Sequence, residues 1–143
     1  MKSVGELMNI KIIPEILDEV AACTTEEEVR KVLFKNQSPA IKKMFELVFR
    51  PEHTFTIKEL PKYKQDPGPI GLSPNSLYVE LRRFYVLEDT KVIPEKKKLE
   101  ILTQILESIH PTEAELVGKI IRKDLGIPLL TKEVINSVYP GLV

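Results

Sequence analysis

Hydrophobic residues recur every three or four positions along most of the chain, which is the spacing of helices that bury one face. The clearest case follows Ser38-Pro39, where a capping serine precedes a proline at the first helical position. Arg50-Pro51 ends this helix, because the residue before a proline avoids the helical conformation. Its predicted inward residues are Ile41, Met44, Phe45, Val48 and Phe49.

The same pattern predicts helices elsewhere, several with a marked start. Thr25 and Glu28 have capping-box spacing, and so do Thr112 and Glu115. Gly126 is the predicted end of the helix that Thr112 begins. Altogether the predicted helices cover residues 14–22, 25–36, 39–49, 73–88, 94–109, 112–125 and 131–138. The apolar residues of the second predicted helix are Val29, Val32, Leu33 and Phe34. Leu77, Leu81, Phe84 and Tyr85 line one face of the fourth.

Two stretches break the helical pattern. Residues 53–60 alternate in a strand-like way, which predicts an extended segment with at most one small hairpin. Residues 61–74 hold four prolines and two glycines, so neither a helix nor a central strand is expected there. This loop is either a functional connection or a surface loop that packs Tyr63, Ile70 and Leu72 onto the core.

These elements predict an all-α fold: a compact bundle of six to eight short helices with one long Pro/Gly-rich loop. The 143 residues correspond to a single helical domain, 1–143. Hydrophobic residues make up 43% of the chain, which is enough for one core and excludes a disordered tail. No 18-residue apolar run is present, so we expect no membrane span.

The single cysteine and the two histidines limit which kinds of catalytic or metal site the chain could form. Cys23 is the only cysteine and is expected to be a small buried hydrophobe; with His53 and His110 it fits no zinc spacing. The first residues lack the apolar core of a secretory signal, so a cytoplasmic setting is expected. No phosphate-binding loop and no nucleophile–base pair occurs. We therefore expect no enzyme activity, no cofactor and no metal.

The net charge is zero, with 21 basic and 21 acidic residues, but the charges are segregated. Residues 1–29 carry two bases against seven acids, a net of −5. Residues 30–64 carry nine bases against three acids, a net of +6, and interleave them with His53, Phe55 and Tyr63. Interleaved basic and aromatic residues are typical of nucleic-acid surfaces.

Other interpretations of these charges stay open. Lys42 and Lys43 lie opposite Phe45 on their helix, where lysine is expected for solubility alone. Residues 96–98 are three lysines that suit a solvated first helical turn. An acidic protein partner would fit the basic stretch as well as DNA does.

The C-terminal third carries a family resemblance. In residues 117–127 a basic helix ends in Arg122-Lys123-Asp124-Leu125, and after a short helix the chain reaches Tyr139-Pro140-Gly141-Leu142. This organisation resembles the end of the N-terminal DNA-binding domain of ATP-dependent DNA ligases, in the form found in T-even bacteriophages. The likeness runs from about residue 10 to residue 143. The chain also resembles small proteins of tailed phages that share this organisation.

The resemblance implies an all-α fold that grips the backbone of duplex DNA across the minor groove, without sequence specificity. No lysine nucleophile motif follows, so ligation by this chain is not expected. Two positions depart from the family pattern: Lys123 separates Arg122 from Asp124, and Pro128 stands where glycine is common. By position, the implied DNA contacts are Lys42, Lys43, Arg50, Lys58, Lys62, Lys64, Arg122 and Lys123.

Two functions are therefore expected alternatives. The first is a non-catalytic protein, encoded by a phage, that binds duplex or nicked DNA in replication, repair or packaging. The second is an interaction module that engages a phage or host replication or transcription protein. The acidic residues 1–29 favour the second, because dedicated DNA-binding proteins are usually more basic.

Overall fold

Local start signals place most of the helices where the sequence predicts them. The computed structural model of the protein describes residues 11–65, 73 and 76–143. Seven α-helices lie in these ranges, and a 3-10 helix, Leu81–Leu87, continues the fourth. The α-helices are α1 Ile13–Ala21, α2 Glu26–Lys35, α3 Pro39–Phe49, α4 Leu77–Glu80, α5 Glu95–Ser108, α6 Pro111–Arg122 and α7 Lys132–Val138.

Hydroxyl caps confirm three of the predicted helix starts. The Thr25 hydroxyl accepts a hydrogen bond from the Glu28 amide at 3.2 Å at the start of α2. Ser38 caps α3 in the same way. Thr131 caps α7. Each hydroxyl satisfies one of the amides that a helix start leaves unpaired.

The predicted boundaries of α6 are wrong at both ends. The helix begins after His110, and the Glu113 carboxylate, not that of Glu115, reaches back to the N-cap amide at 3.1 Å. Pro111 tolerates the first helical position because its missing N–H would be unpaired there anyway. At the other end the chain leaves the helix at Lys123, whose φ is 59°, and Gly126 belongs to the following loop.

The core forms around α6, which packs against α1, α3 and α5. Aromatic side chains fill the space between elements, and Phe45, Phe55 and Phe84 are fully buried. The Phe55 and Phe84 rings meet edge to face with their centroids 6.5 Å apart. Such contacts between segments distant in sequence hold the bundle together, and the all-α prediction is confirmed.

The stretch predicted to be extended makes one isolated antiparallel bridge, between Phe55 and Glu88. No strand occurs within the described ranges. Residues 66–72, 74 and 75 of the predicted Pro/Gly-rich loop, with Ile70 and Leu72, lie outside the described residues. Tyr63 is partly buried and packs against the core. Phe55 is fully buried, so it is not a surface aromatic as its basic neighbours suggested.

Several predicted side-chain positions are wrong. Tyr85 is 52% exposed although it was predicted on the apolar face, and Phe34, one of the apolar residues of α2, is 70% exposed. In the 3-10 helix the side chains repeat every three residues, so Tyr85 shares an outer ridge with Arg82 while Phe84 faces the core. Lys98 is buried rather than solvated. Cys23 is only half-buried, and its thiol donates to the Glu19 carbonyl at 3.2 Å.

None of the helices in residues 11–65 and 76–143 is long and apolar enough to cross a bilayer.

Candidate nucleic-acid interface

Three segments distant in sequence meet where α3 and α6 end. Lys123, in a left-handed conformation directly after α6, extends its ammonium group to the last turn of α3 and the loop that follows. It donates to the carbonyls of Leu47 at 2.8 Å and Arg50 at 2.7 Å, and also to that of His53. Lysine satisfies carbonyls that a helix end leaves unpaired, and its charge suits the negative end of the helix dipole.

Burial lowers the pKa of Lys123, because desolvation penalises the charged ammonium group. Among the neighbouring charges, Glu52 and Glu88 raise this pKa, while Lys58 and Lys132 lower it. These groups therefore lie within electrostatic range of Lys123. Lys58 and Lys132 are therefore near enough to Lys123 to influence its protonation, as are the acids Glu52 and Glu88.

Arg122 joins this group through a close contact at Gly118. A Cβ atom built on Gly118 would lie 3.2 Å from the Leu60 side chain and 3.6 Å from an Arg122 guanidinium nitrogen. The missing side chain lets Leu60 pack directly on α6. The segment that carries Lys58 consequently crosses α6 beside Arg122.

Arg50 completes the group from the end of α3. Its Nε donates to the Leu142 carbonyl at 2.7 Å, and one terminal nitrogen lies 3.8 Å from a Glu52 carboxylate oxygen. These contacts hold the guanidinium at the edge of the junction, where it is partly exposed. We call the five residues the basic cluster: Arg50, Lys58, Arg122, Lys123 and Lys132.

The members of the basic cluster differ in what they can offer a ligand. Lys58, Arg122 and Lys132 are exposed, and their side chains have no hydrogen-bond or ion-pair partner in the described part of the chain. Lys123 donates all three of its N–H groups to carbonyls, so it has none left for a phosphate. Lys123 therefore holds the end of α6 against the end of α3. The exposed members of the cluster face solvent.

A polar network around the buried residues Glu88 and Lys98 lies next to the cluster and extends to the exposed residues Thr56 and Asp89. His53 Nδ1 lies 2.7 Å from a Glu88 carboxylate oxygen. Lys98 donates to the Glu88 carbonyl at 2.8 Å and to the Thr56 hydroxyl at 2.9 Å. The Thr56 hydroxyl in turn donates to Asp89, whose pKa is lowered by this and a second threonine hydrogen bond. The network ties residues 53–58 to the turn after the 3-10 helix.

The remaining predicted contact residues lie away from the cluster. Lys42 sits over the Tyr139 ring, with its nitrogen 5.4 Å from the ring centroid, and Lys43 is partly exposed on the same helix. Lys62 and Lys64 are exposed on the segment beyond Leu60, and the Lys64 amide donates to Glu107 at 2.8 Å. These four residues extend from the cluster along two directions rather than forming part of it.

Sequence reasoning missed Lys132, the positioning role of Lys123 and the network next to the cluster. Lys132 opens α7, where the helix dipole disfavours a cation, and Glu133 follows it in the first turn. The carbonyls that Lys123 binds lie 70 to 76 residues earlier in the chain. No local pattern could connect them.

In the described ranges, no three His, Cys, Asp or Glu side chains come together as a metal site. Comparisons with protein-family models and with curated proteins find no match to this sequence. A proposal for the function therefore rests on the geometry of the basic cluster and on the sequence pattern.

Proposed function

We propose that the protein binds the backbone of duplex or nicked DNA without sequence specificity, as a non-catalytic accessory factor. The observation that supports the proposal is that Lys123 joins the end of α6 to the end of α3, with the exposed cations Lys58, Arg122 and Lys132 nearby. Exposed cations grouped on one surface attract phosphates and release the counterions bound to DNA. Lys58, Arg122 and Lys132 are the proposed phosphate contacts, and Arg50 flanks them.

The outlying lysines extend this surface in the proposal. Lys42 and Lys43 flank it along α3, and Lys62 and Lys64 along the segment that crosses α6. Three acids, Glu52, Glu88 and Asp89, lie within the electrostatic range of cluster residues. They reduce the positive potential, so the proposed affinity is moderate.

The resemblance to phage ligase domains supports the setting of the proposal. We propose that the chain is encoded by a tailed phage and works in the host cytoplasm in replication, repair or packaging. Lys123, which the resemblance placed among the DNA contacts, is assigned the positioning of Arg50 and its loop. This assignment follows from its three carbonyl hydrogen bonds.

A charge-reversal experiment tests the DNA contacts. Lys58→Glu combined with Arg122→Glu should weaken binding to a labelled duplex at least tenfold, measured by fluorescence anisotropy at low salt. The matched control is Lys35→Glu with Lys96→Glu, which changes the same net charge on exposed parts of α2 and α5. Equal losses in both variants would mean that only net charge matters, and no loss in either would refute the interface.

A second function is favoured by the exposed carboxylates of α1 and α2. Asp18, Glu19 and Glu26–Glu28 are solvent-exposed acids on two helices that pack together, and Glu19 and Glu26 are ion-paired with Lys11 and Arg30. These acids suit a basic partner protein, such as a phage or host replication or transcription factor. Capture of such a partner that survives nuclease treatment, and is lost when Asp18 and Glu19 become lysine, would support it.

A further inference from the structure

An exposed tyrosine lies on the outer ridge of the 3-10 helix. Tyr85 has 52% of its surface exposed, and Arg82, one turn earlier, is exposed on the same ridge. The ammonium nitrogen of Lys91 lies over the tyrosine ring, 5.6 Å from its centroid. An ammonium group in this position is attracted by the electrons of the ring. We call these three residues the Tyr85 surface: Arg82, Tyr85 and Lys91.

The backbone beneath the Tyr85 surface is firmly anchored. The neighbouring Phe84 is fully buried and packs edge to face against Phe55, with the ring centroids 6.5 Å apart. The Glu88 amide donates to the Tyr85 carbonyl at 3.3 Å, and the Lys91 amide donates to the Glu88 carbonyl at 3.1 Å. The ring and the cation over it therefore extend from one anchored turn, so less conformational entropy is lost when a ligand binds them.

The charged groups of the Tyr85 surface are both positive. No acid pairs with Arg82 or Lys91 in the described part of the chain. The acids of residues 80–91 are engaged elsewhere, since Glu80 contacts the other arginine of this helix at 3.1 Å, and Glu88 and Asp89 belong to the polar network beside the basic cluster. The surface therefore attracts an anion, and its exposed ring adds a planar apolar contact.

A hydrogen bond connects the Tyr85 surface to the segment that carries Lys58. The Asp89 amide, in the turn after the 3-10 helix, donates to the Thr54 carbonyl at 2.9 Å. Lys58 lies within electrostatic range of the Asp89 carboxylate. The Tyr85 surface and the basic cluster are therefore joined through one short segment, residues 54–58.

We propose that the Tyr85 surface binds unpaired nucleotides of DNA, with a base stacked on Tyr85 and phosphates at Arg82 and Lys91. A base offers a planar face to the ring, and the phosphates of its strand carry the negative charge that exposed cations attract. Within a duplex the neighbouring bases cover each base, so the ring stacks only on a base that has left the stack. A run of acidic side chains matches the charges of this surface but not its ring.

Together the two surfaces would bind a junction between paired and unpaired DNA. The basic cluster contacts the duplex backbone, which is the proposed function on which this inference rests. The Tyr85 surface contacts the strand that leaves the duplex. The preferred ligand is therefore a duplex with a gap, a tail or a flap rather than a continuous duplex.

Two labelled duplexes with the same paired sequence test the Tyr85 surface, one blunt and one with a tail of unpaired nucleotides. By fluorescence anisotropy at low salt, the wild type should bind the tailed duplex about tenfold more tightly, because stacked bases strengthen binding. Tyr85→Leu should reduce this preference to about twofold or less and leave the affinity for the blunt duplex unchanged. Tyr85→Phe should keep the preference, since the ring remains.

Phe34→Leu is the matched control for the ring, because it removes an exposed aromatic side chain from α2. It should leave the preference for the tailed duplex unchanged. Circular dichroism checks that each variant folds.

A charge variant tests the surface without altering the ring. Arg82→Gln combined with Lys91→Gln should weaken binding of the tailed duplex and leave binding of the blunt duplex unchanged. The matched control is Lys35→Gln with Lys96→Gln, which removes two charges from exposed parts of α2 and α5.

The possible outcomes separate the Tyr85 surface from the DNA binding on which it depends. Equal wild-type affinity for the two duplexes would overturn the Tyr85 surface and leave the basic cluster standing, whereas no binding to either duplex would overturn both. A preference that survives Tyr85→Leu, or that Phe34→Leu removes equally, would also overturn the Tyr85 surface. So would displacement of the tailed duplex by polyglutamate as readily as by an unlabelled single strand of the same charge, which would assign the surface to an acidic protein.

Discussion

A lysine surrounded by carbonyl oxygens plays a different part from a lysine in water. Lys123 adopts a left-handed backbone conformation, which costs about 1 kcal/mol or more for a residue with a side chain. Its ammonium group compensates by satisfying three carbonyls at the end of α3. Glycine would suit the left-handed backbone at this position, but glycine has no side chain. Lysine both ends α6 and donates hydrogen bonds to the carbonyls of α3 and its following loop.

Replacing Lys123 by methionine should therefore destabilise the protein. Methionine keeps the apolar stem but leaves three carbonyls without their donor, and we expect a loss of about 2–3 kcal/mol in urea unfolding. Lys119→Met is the matched control, since Lys119 is an exposed lysine one turn earlier on α6. It should change stability by about 0.5 kcal/mol or less. Equal effects would show that the tether contributes nothing.

At the scale of elements, helix starts were predictable because their caps are local. Each capping hydroxyl, on Thr25, Ser38 and Thr131, accepts a hydrogen bond from an amide three residues later. The residue types and their spacing in the sequence are therefore enough to predict these helix starts. The start of α6 was misplaced because two overlapping capping boxes compete there. Burial decides between them: Glu113 is 1% exposed, while Glu115 is on the outer face.

The candidate site was predictable only in part. The exposed cations Lys58 and Arg122 were identified from charge and from the resemblance. Their convergence depends on Leu60 packing on Gly118, and these residues are 58 positions apart. The exposure of Phe34 was not predictable from periodicity, because its helix buries Val29 and Leu33 on a narrower face than the apolar pattern suggested.

Glu113 links two helix starts and predicts a pH dependence. Its carboxylate accepts from the His110 amide at 3.1 Å and from the Leu77 amide at 2.8 Å, so it joins α6 to α4. Desolvation raises its pKa, although the two amide hydrogen bonds lower it. The folded state therefore holds this proton to higher pH than the unfolded state, and the contribution of Glu113 to stability falls as pH rises above about 4.5.

Comparing wild type with Glu113→Gln isolates the contribution of the Glu113 proton to the free energy of unfolding. The amide keeps the shape but does not titrate, so the wild type's advantage in free energy of unfolding should shrink as pH rises above about 4.5. Urea unfolding at several pH values measures it. An advantage that grows with pH would mean that the fold favours the carboxylate over the acid.

At the scale of the whole molecule, neutrality hides an uneven charge distribution. The acids of α1 and α2 balance the cations gathered at the ends of α3 and α6. A protein without net charge has little long-range attraction for DNA, so the proposed binding would depend on the few phosphates that the basic cluster could reach. Affinity should therefore depend strongly on salt although few contacts are involved.

The salt dependence gives a number. Three or four neutralised phosphates predict a slope of about −3 in a plot of log affinity against log salt, or about a sixtyfold loss between 50 and 200 mM. Lys58→Glu with Arg122→Glu should make the slope shallower by about 2. Anisotropy titrations at four salt concentrations measure both slopes. A slope near zero would exclude phosphate contacts as the source of binding.

The ammonium groups of Lys98 and Lys123 are already hydrogen-bonded within the fold, which should change how these lysines react. An amine-reactive acetylating reagent attacks a lysine that is uncharged and reachable. Burial lowers the pKa of Lys123 and so favours its uncharged form, but its nitrogen, like that of Lys98, is held by carbonyl and hydroxyl oxygens in the fold. Exposed lysines such as Lys58 and Lys119 should be labelled first. Lys123 would then be labelled late, when the junction of α3 and α6 opens. The rate at which Lys123 is labelled would therefore measure how often this junction opens in the native protein.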